Sequence, residues 1–212
     1  MIVGLVSDTH DNIHMIDRAV KRLNEERVGL VLHAGDYVSA FTAKHFKPLD
    51  APMIGVYGNN CAERDTLRRV YAEAGAEIRG FFAEVDAGGL RVALLHGHRR
   101  EGVDRAYGGG YDVIVRGHTH RTAIDEEDGV LVVNPGEVCG YVSGRCTVAF
   151  LDTVRRAACY ASSARLPHRT PLWRTSGPRR FHRRTLGRPT PPWRGRRAPW
   201  ARERRRVCPC CG

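Results

Sequence analysis

Five short apolar runs, at residues 2–7, 29–33, 52–56, 91–95 and 112–116, each give way at the carboxyl end to Asp, His or Asn, usually beside a glycine. Runs of this length have the character of buried strands. Between the first two, Ile16, Ala19, Val20 and Leu23 recur at i, i+3, i+4 and i+7, the spacing of an amphipathic helix. Leu67, Val70, Tyr71 and Ala74 repeat it, with Gly75 as a C-terminal stop. Further along, residues 81–85 and 90–93 flank Asp86-Ala87-Gly88-Gly89, and residues 121–125 and 130–133 flank residues 126–129, as hairpins do. Parallel βαβ units followed by hairpins predict an α/β chain with a mixed sheet, or two packed sheets, and helices outside.

Composition marks where this pattern stops. The formal net charge of +11 hides a division. Residues 154–212 hold 17 arginines, no lysine and a single acid, Glu203, whereas residues 1–153 hold 17 basic and 22 acidic side chains. All three tryptophans (Trp173, Trp193, Trp200) and 8 of the 11 prolines lie in the basic part, which shows neither helical nor alternating periodicity. So much Arg and Pro buries too little surface to offset ordering entropy. The expected organisation is a folded domain over residues 1–153 and a disordered Arg/Pro-rich tail over 154–212. Three explanations of that tail stand: nucleic-acid binding through phosphate neutralisation and stacking, a solvated linker, or frame-shifted translation of a GC-rich gene.

No run approaches the ~18 apolar residues of a membrane span, and the start of the chain lacks the length and basic flank of a secretory signal. The seven cysteines read as reduced thiols, and a cytoplasmic location is expected. Cys208, Cys210 and Cys211 have no partner pair at zinc-site spacing.

The chemistry sits at the strand ends. The five ends are Ser7-Asp8-Thr9-His10, Ala34-Gly35-Asp36, Tyr57-Gly58-Asn59-Asn60, His96-Gly97-His98 and Gly117-His118-Thr119-His120. Ligands of open α/β sheets collect outside the carboxyl ends of strands. Carboxylates, imidazoles and an Asn carbonyl suit Mn²⁺, Fe²⁺, Zn²⁺, Co²⁺ or Ni²⁺ better than Ca²⁺. Asp8, His10, Asp36, Asn59, His96, His118 and His120 are more donors than one ion needs and suit two ions sharing a carboxylate.

In this order the motifs resemble the calcineurin-like metallophosphoesterase superfamily, and residues 1–153, including Asn134-Pro135-Gly136-Glu137, are similar to its small YfcE-type phosphodiesterases. The resemblance implies a four-layer α/β/β/α fold of two mostly mixed sheets. It implies that Asp8, His10 and His120 hold one metal, that Asn59, His96 and His118 hold the other, and that Asp36 bridges them. It further implies hydrolysis of a small phosphodiester by a metal-bridging hydroxide, with two divalent ions as cofactor and a homo-oligomer as an open state.

One departure bears on mechanism. Many superfamily members carry Gly-Asn-His where this chain has Gly58-Asn59-Asn60, and Asn60 delivers no proton at pH 7. With Asp36 and Asn60, His98 is the remaining catalytic candidate, as donor to the leaving group, water being the alternative. Asn60, Arg64 and Arg99 are candidate substrate contacts, and Arg100 comes directly after the same motif. His33 reads as a packed strand residue, His14 and His45 as surface residues, and Cys61 as an inert small residue. The competing reading is a non-catalytic, Vps29-like binding scaffold.

Overall fold

The computed structural model describes residues 1–165. In chain order they form β1 (Ile2–Val6), α1 (Ile13–Glu25), β2 (Leu30–His33), a 3₁₀ helix (Ala40–His45), β3 (Met53–Gly55), α2 (Arg64–Glu73), β4 (Ala76–Ile78) and β5 (Phe82–Ala87). Next come β6 (Leu90–Leu95), α3 (Arg100–Gly108), β7 (Val113–Arg116), β8 (Thr122–Glu127), β9 (Val130–Pro135), β10 (Arg145–Asp152) and β11 (Ala157–Arg165).

The strands make two mixed sheets. One has the order β11-β10-β1-β2-β3-β4, with β1 to β4 parallel and β10 antiparallel to β1. The other has the order β5-β6-β7-β9-β8, with β6, β7 and β9 parallel. Because strand side chains alternate between faces, the first sheet sends Val3, Leu5 and Leu32 toward the second sheet's Val92, Leu94, Val113 and Val115. Its other face, with Val6, Val31 and Met53, packs on Ile16, Val20 and Leu23 of α1 and Leu67 and Tyr71 of α2. Ala93, Leu95 and Ile114 face Ala106 of α3. The layers are therefore helix, sheet, sheet, helix. Each fully buried Leu or Ile contributes about 1.5–3 kcal/mol, so the stripe on α1 alone is a substantial anchor.

Both expected hairpins form. Their strands run longer than the alternation suggested, because two residues with positive φ close each turn: Gly88 and Gly89 (63° and 87°), and Asp128 and Gly129 (49° and 79°). These are the torsions two-residue hairpin loops require. Gly75 sits past the end of α2 at φ 84°, as expected.

The boundary expected after Thr153 needs correction. Asp152 Oδ1 accepts the Val154 and Arg155 N–H groups (3.0 and 3.2 Å), turning the chain into β11, which pairs with the whole of β10. Arg156 donates to the carbonyl oxygens of Asp112 (2.8 Å) and Gly129, so it serves the fold rather than a tail. The expectation of disorder beyond Arg165 lies outside the described residues. Among those residues, no helix is long and apolar enough to cross a membrane.

Candidate metal centre

β1, β2 and β3 are parallel, as are β6 and β7, so the loops after them leave each sheet at the same end. The His96 Nδ1 hydrogen bond to the Ala34 carbonyl (2.7 Å) ties the two sets of loops together. Within them Asp8, His10, Asp36, His118 and His120 hold φ of 54°, 39°, 62°, 71° and 59°. Left-handed torsions are uncommon outside glycine and cost on the order of 1–3 kcal/mol each, persisting only where the surroundings impose them. Here Asp8 N–H donates to the Gly35 carbonyl (3.0 Å) and His10 N–H to that of Asp36 (3.1 Å). Gly58 has to be glycine, because a Cβ there would collide with the Asp36 carboxylate.

All seven predicted ligands converge. His120 Nε2 lies 3.3 Å from Asp8 Oδ1, and His10 Nε2 lies 3.7 Å from Asp8 Oδ1 and 3.5 Å from Asp36 Oδ2. Asp36 Oδ2 lies 3.3 Å from His96 Nε2, which contacts Asn59 Oδ1 at 3.0 Å. The His118 ring centroid is 5.1 Å from that of His96. Asp36 thus stands between a cluster of Asp8, His10 and His120 and a cluster of Asn59, His96 and His118. Asp8, Asp36 and His96 are buried, while Asn59 and His118 are exposed at the mouth.

The electrostatics suit cations. Asp8 Oδ1 and His10 Nε2 are buried and have no hydrogen-bond partner, which is costly for an oxygen and a nitrogen left facing each other. Donor atoms of Asp8, His10 and Asp36 all lie within 4.8 Å of one another. The residues present therefore fit divalent metal. Burial opposes the charge on Asp36, but the His96 imidazole and two Asn60 donors hold its carboxyl well below the usual range. The Asp8 carboxylate lifts His10, and Asp36 lifts His96 against its burial. Burial and the neighbouring His96 push His98 and His118 down.

The other expected residues sort differently. Asn60 is exposed, and its backbone N–H and side-chain Nδ2 donate to the two oxygens of Asp36, each at 2.8 Å. It is a clamp on the central carboxylate. His98 is half-buried, its ring 5.3 Å from His96 and 6.2 Å from His118. Arg64 and Arg99 stand beside Phe81. His33 is packed, fully buried and stacked on Tyr37 with centroids 3.9 Å apart.

The sequence places Glu137 in the Asn134-Pro135-Gly136-Glu137 motif but assigns it no role. Buried, it accepts His120 Nδ1–H at 2.7 Å and further donors from Cys139, Val142 and Ser143. Burial opposes its charge, but these bonds hold the carboxyl near 2. The pair turns His120 Nε2 toward Asp8. Cys139 Sγ clusters with the donor nitrogens of His10 and His120, also within 4.8 Å.

The family model described as the calcineurin-like phosphoesterase superfamily domain matches residues 1–156. Phosphodiesterase MJ0936 of Methanocaldococcus jannaschii is 41% identical over 158 residues, 74% of this chain and 95% of that protein. A solved archaeal phosphodiesterase superposes with a TM-score of 0.72 at 39% identity, covering 76% of this chain and 99% of its own. The E. coli phosphoesterase YfcE (TM-score 0.60, 18% identity, 77% of this chain, 100% of that one) and Chaetomium thermophilum Vps29 (0.58, 15%, 76% and 95%) share the fold.

Proposed function

We propose that this chain, which belongs to the calcineurin-like phosphoesterase superfamily and is a hydrolase of phosphoester bonds, acts mainly on small phosphodiesters and does so with two divalent ions. The observation that carries this reading is the pair of donor clusters joined at Asp36, with Asp8 Oδ1 and His10 Nε2 of the first cluster left without a hydrogen-bond partner. Asp8, His10 and His120 would hold one ion, Asn59, His96 and His118 the other, and Asp36 both. Bound there, Mn²⁺, Ni²⁺, Fe²⁺, Co²⁺ or Zn²⁺ would supply Lewis acidity toward the phosphoryl oxygens and an activated water.

The chain's own residues fix the donors before substrate arrives. Asn60 holds both oxygens of Asp36, the Ala34 carbonyl sets the His96 ring, and Glu137 sets that of His120. Hydrolysis breaks a P–O bond, and the departing alcohol needs a proton. An Asn at position 60 cannot supply it, so the proton comes from His98, beside His96 and His118, or from solvent, and esters of acidic alcohols are favoured over alkyl monoesters.

Metal-stripped protein titrated with Mn²⁺ and given bis(p-nitrophenyl) phosphate tests this. The rate is expected to rise with metal and to drop about 100-fold or more in Asp36→Ala. A Vps29-like scaffold would give no rate above a metal-only blank. The alternative of nucleic-acid binding rests on the 17 arginines against one acid in residues 154–212. Ending the chain after Arg165, which keeps β11, should abolish salt-sensitive binding to DNA or RNA if that reading holds.

A further inference from the structure

Beside the histidine cluster lies a cavity of about 120 Å³ whose walls include Phe81, His98, Arg99, Arg105 and the carboxylate-bearing Glu101, with Arg64 outside the walls on the Phe81 ring. Phe81 is its hub. Its ring centroid is 5.6 Å from Tyr57 and 5.8 Å from His98, and the guanidinium carbons of Arg64 and Arg99 lie 4.7 and 4.6 Å from it. His98 in turn touches the ring environment of His96 and His118. Running outward from the metal ligands, the order is His98, then Phe81 with its two cations.

Those cations are poorly neutralised. Among the described residues no carboxylate pairs with the Arg64 guanidinium, and Arg99 has only the exposed Glu101 at 3.8 Å. Glu84 is already held by Arg105 at 2.5 Å. His98 Nδ1 is buried without a hydrogen-bond partner, a further unanswered polar atom in the cavity wall. A scissile phosphodiester brings one negative charge, which the metal ligands' own site addresses. Two guanidiniums one ring further out call for a second anion, and the planar guanidinium fork matches phosphate. The cavity is roomy enough for a phosphate group and too small for a base as well. Bases would stack instead on the exposed guanidinium planes, as they do in single-strand recognition.

We propose that Arg64, Arg99 and Phe81 form a subsite for a second phosphate, so that the substrate class is a short nucleotide diester carrying a terminal phosphate next to the scissile bond. This rests on the phosphodiesterase reading above. The test compares kcat/KM of the Mn²⁺-loaded protein for a 5′-phosphorylated thymidine dinucleotide, its unphosphorylated counterpart, and bis(p-nitrophenyl) phosphate. The phosphorylated dinucleotide is expected to be preferred over the plain one about tenfold at low salt, less so at high salt. That ratio should collapse toward one in R64Q/R99Q, two exposed positions, and fall partway in Phe81→Leu. A wild-type ratio near one, or a ratio that survives in R64Q/R99Q, overturns the subsite while leaving the hydrolase standing. A wild type that cleaves none of the three diesters overturns the phosphodiesterase reading and the subsite together.

Discussion

Glu137 follows Asn134-Pro135-Gly136 just past β9 and is 17 positions from His120, yet its carboxylate decides which nitrogen of that imidazole faces Asp8. Its removal should therefore be felt as lost metal affinity. Glu137→Gln is expected to raise the Mn²⁺ dissociation constant about 10–100-fold in a calorimetric titration; affinity equal to the wild type would deny Glu137 the orienting role. Why the role of the seven ligands is readable in the sequence and that of Glu137 is not is a matter of locality. Asp8, Asp36 and His96 each follow an apolar run, the last two beside a glycine, a signal contained within a few residues. The value of Glu137 depends on a contact that exists only after folding. Asn60 is obscured for the same reason: its chemistry is plain in the sequence, but its commitment to both oxygens of Asp36 is not.

Elements differ in how loudly they announce themselves. α1 carries Met15, Ile16, Ala19, Val20 and Leu23 on one stripe, and its residues could form little else. α3 has two glycines and buries a single residue fully, Ala106, so no apolar period marks it. β11 is Ala- and Ser-rich, without bulky alternation, and sits where arginine begins to dominate the composition. Its warrant is tertiary, since β10 would otherwise be left with an unpaired edge. Two truncations separate the readings of that boundary. A chain ending at Arg165 should melt like the full-length protein, whereas one ending at Thr153 should lose roughly 10 °C or more in midpoint by circular dichroism, or precipitate. Equal midpoints would mean that β11 adds nothing to the fold.

The molecule as a whole hides an ionisable ring in its interior. His33 is fully buried; its Nδ1 accepts the Gly35 N–H at 3.1 Å and its Nε2 faces Thr9 Oγ1 at 3.3 Å. Burial drives its pKa from 6.5 to about 3. Between those values the unfolded chain binds a proton that the folded one refuses. Stability conferred by the neutral ring is thus complete above pH 6.5 and declines as pH falls toward 3, by up to about 1.4 kcal/mol per unit. Urea titrations of metal-stripped protein at several pH values should show this slope in the wild type and a flatter one in His33→Gln. Identical slopes would mean that the ring finds its proton without unfolding.

The left-handed torsions at Asp8, His10, Asp36, His118 and His120 sit in loops laced together by backbone bonds, Asp8 N–H to the Gly35 carbonyl and His10 N–H to that of Asp36. Lacing of that kind, with the His96 ring tied to Ala34, should let demetallation empty the seats without dismantling them. One transition metal could then replace another as cargo in a rigid berth, and which ion rides there would be decided by what the surroundings offer.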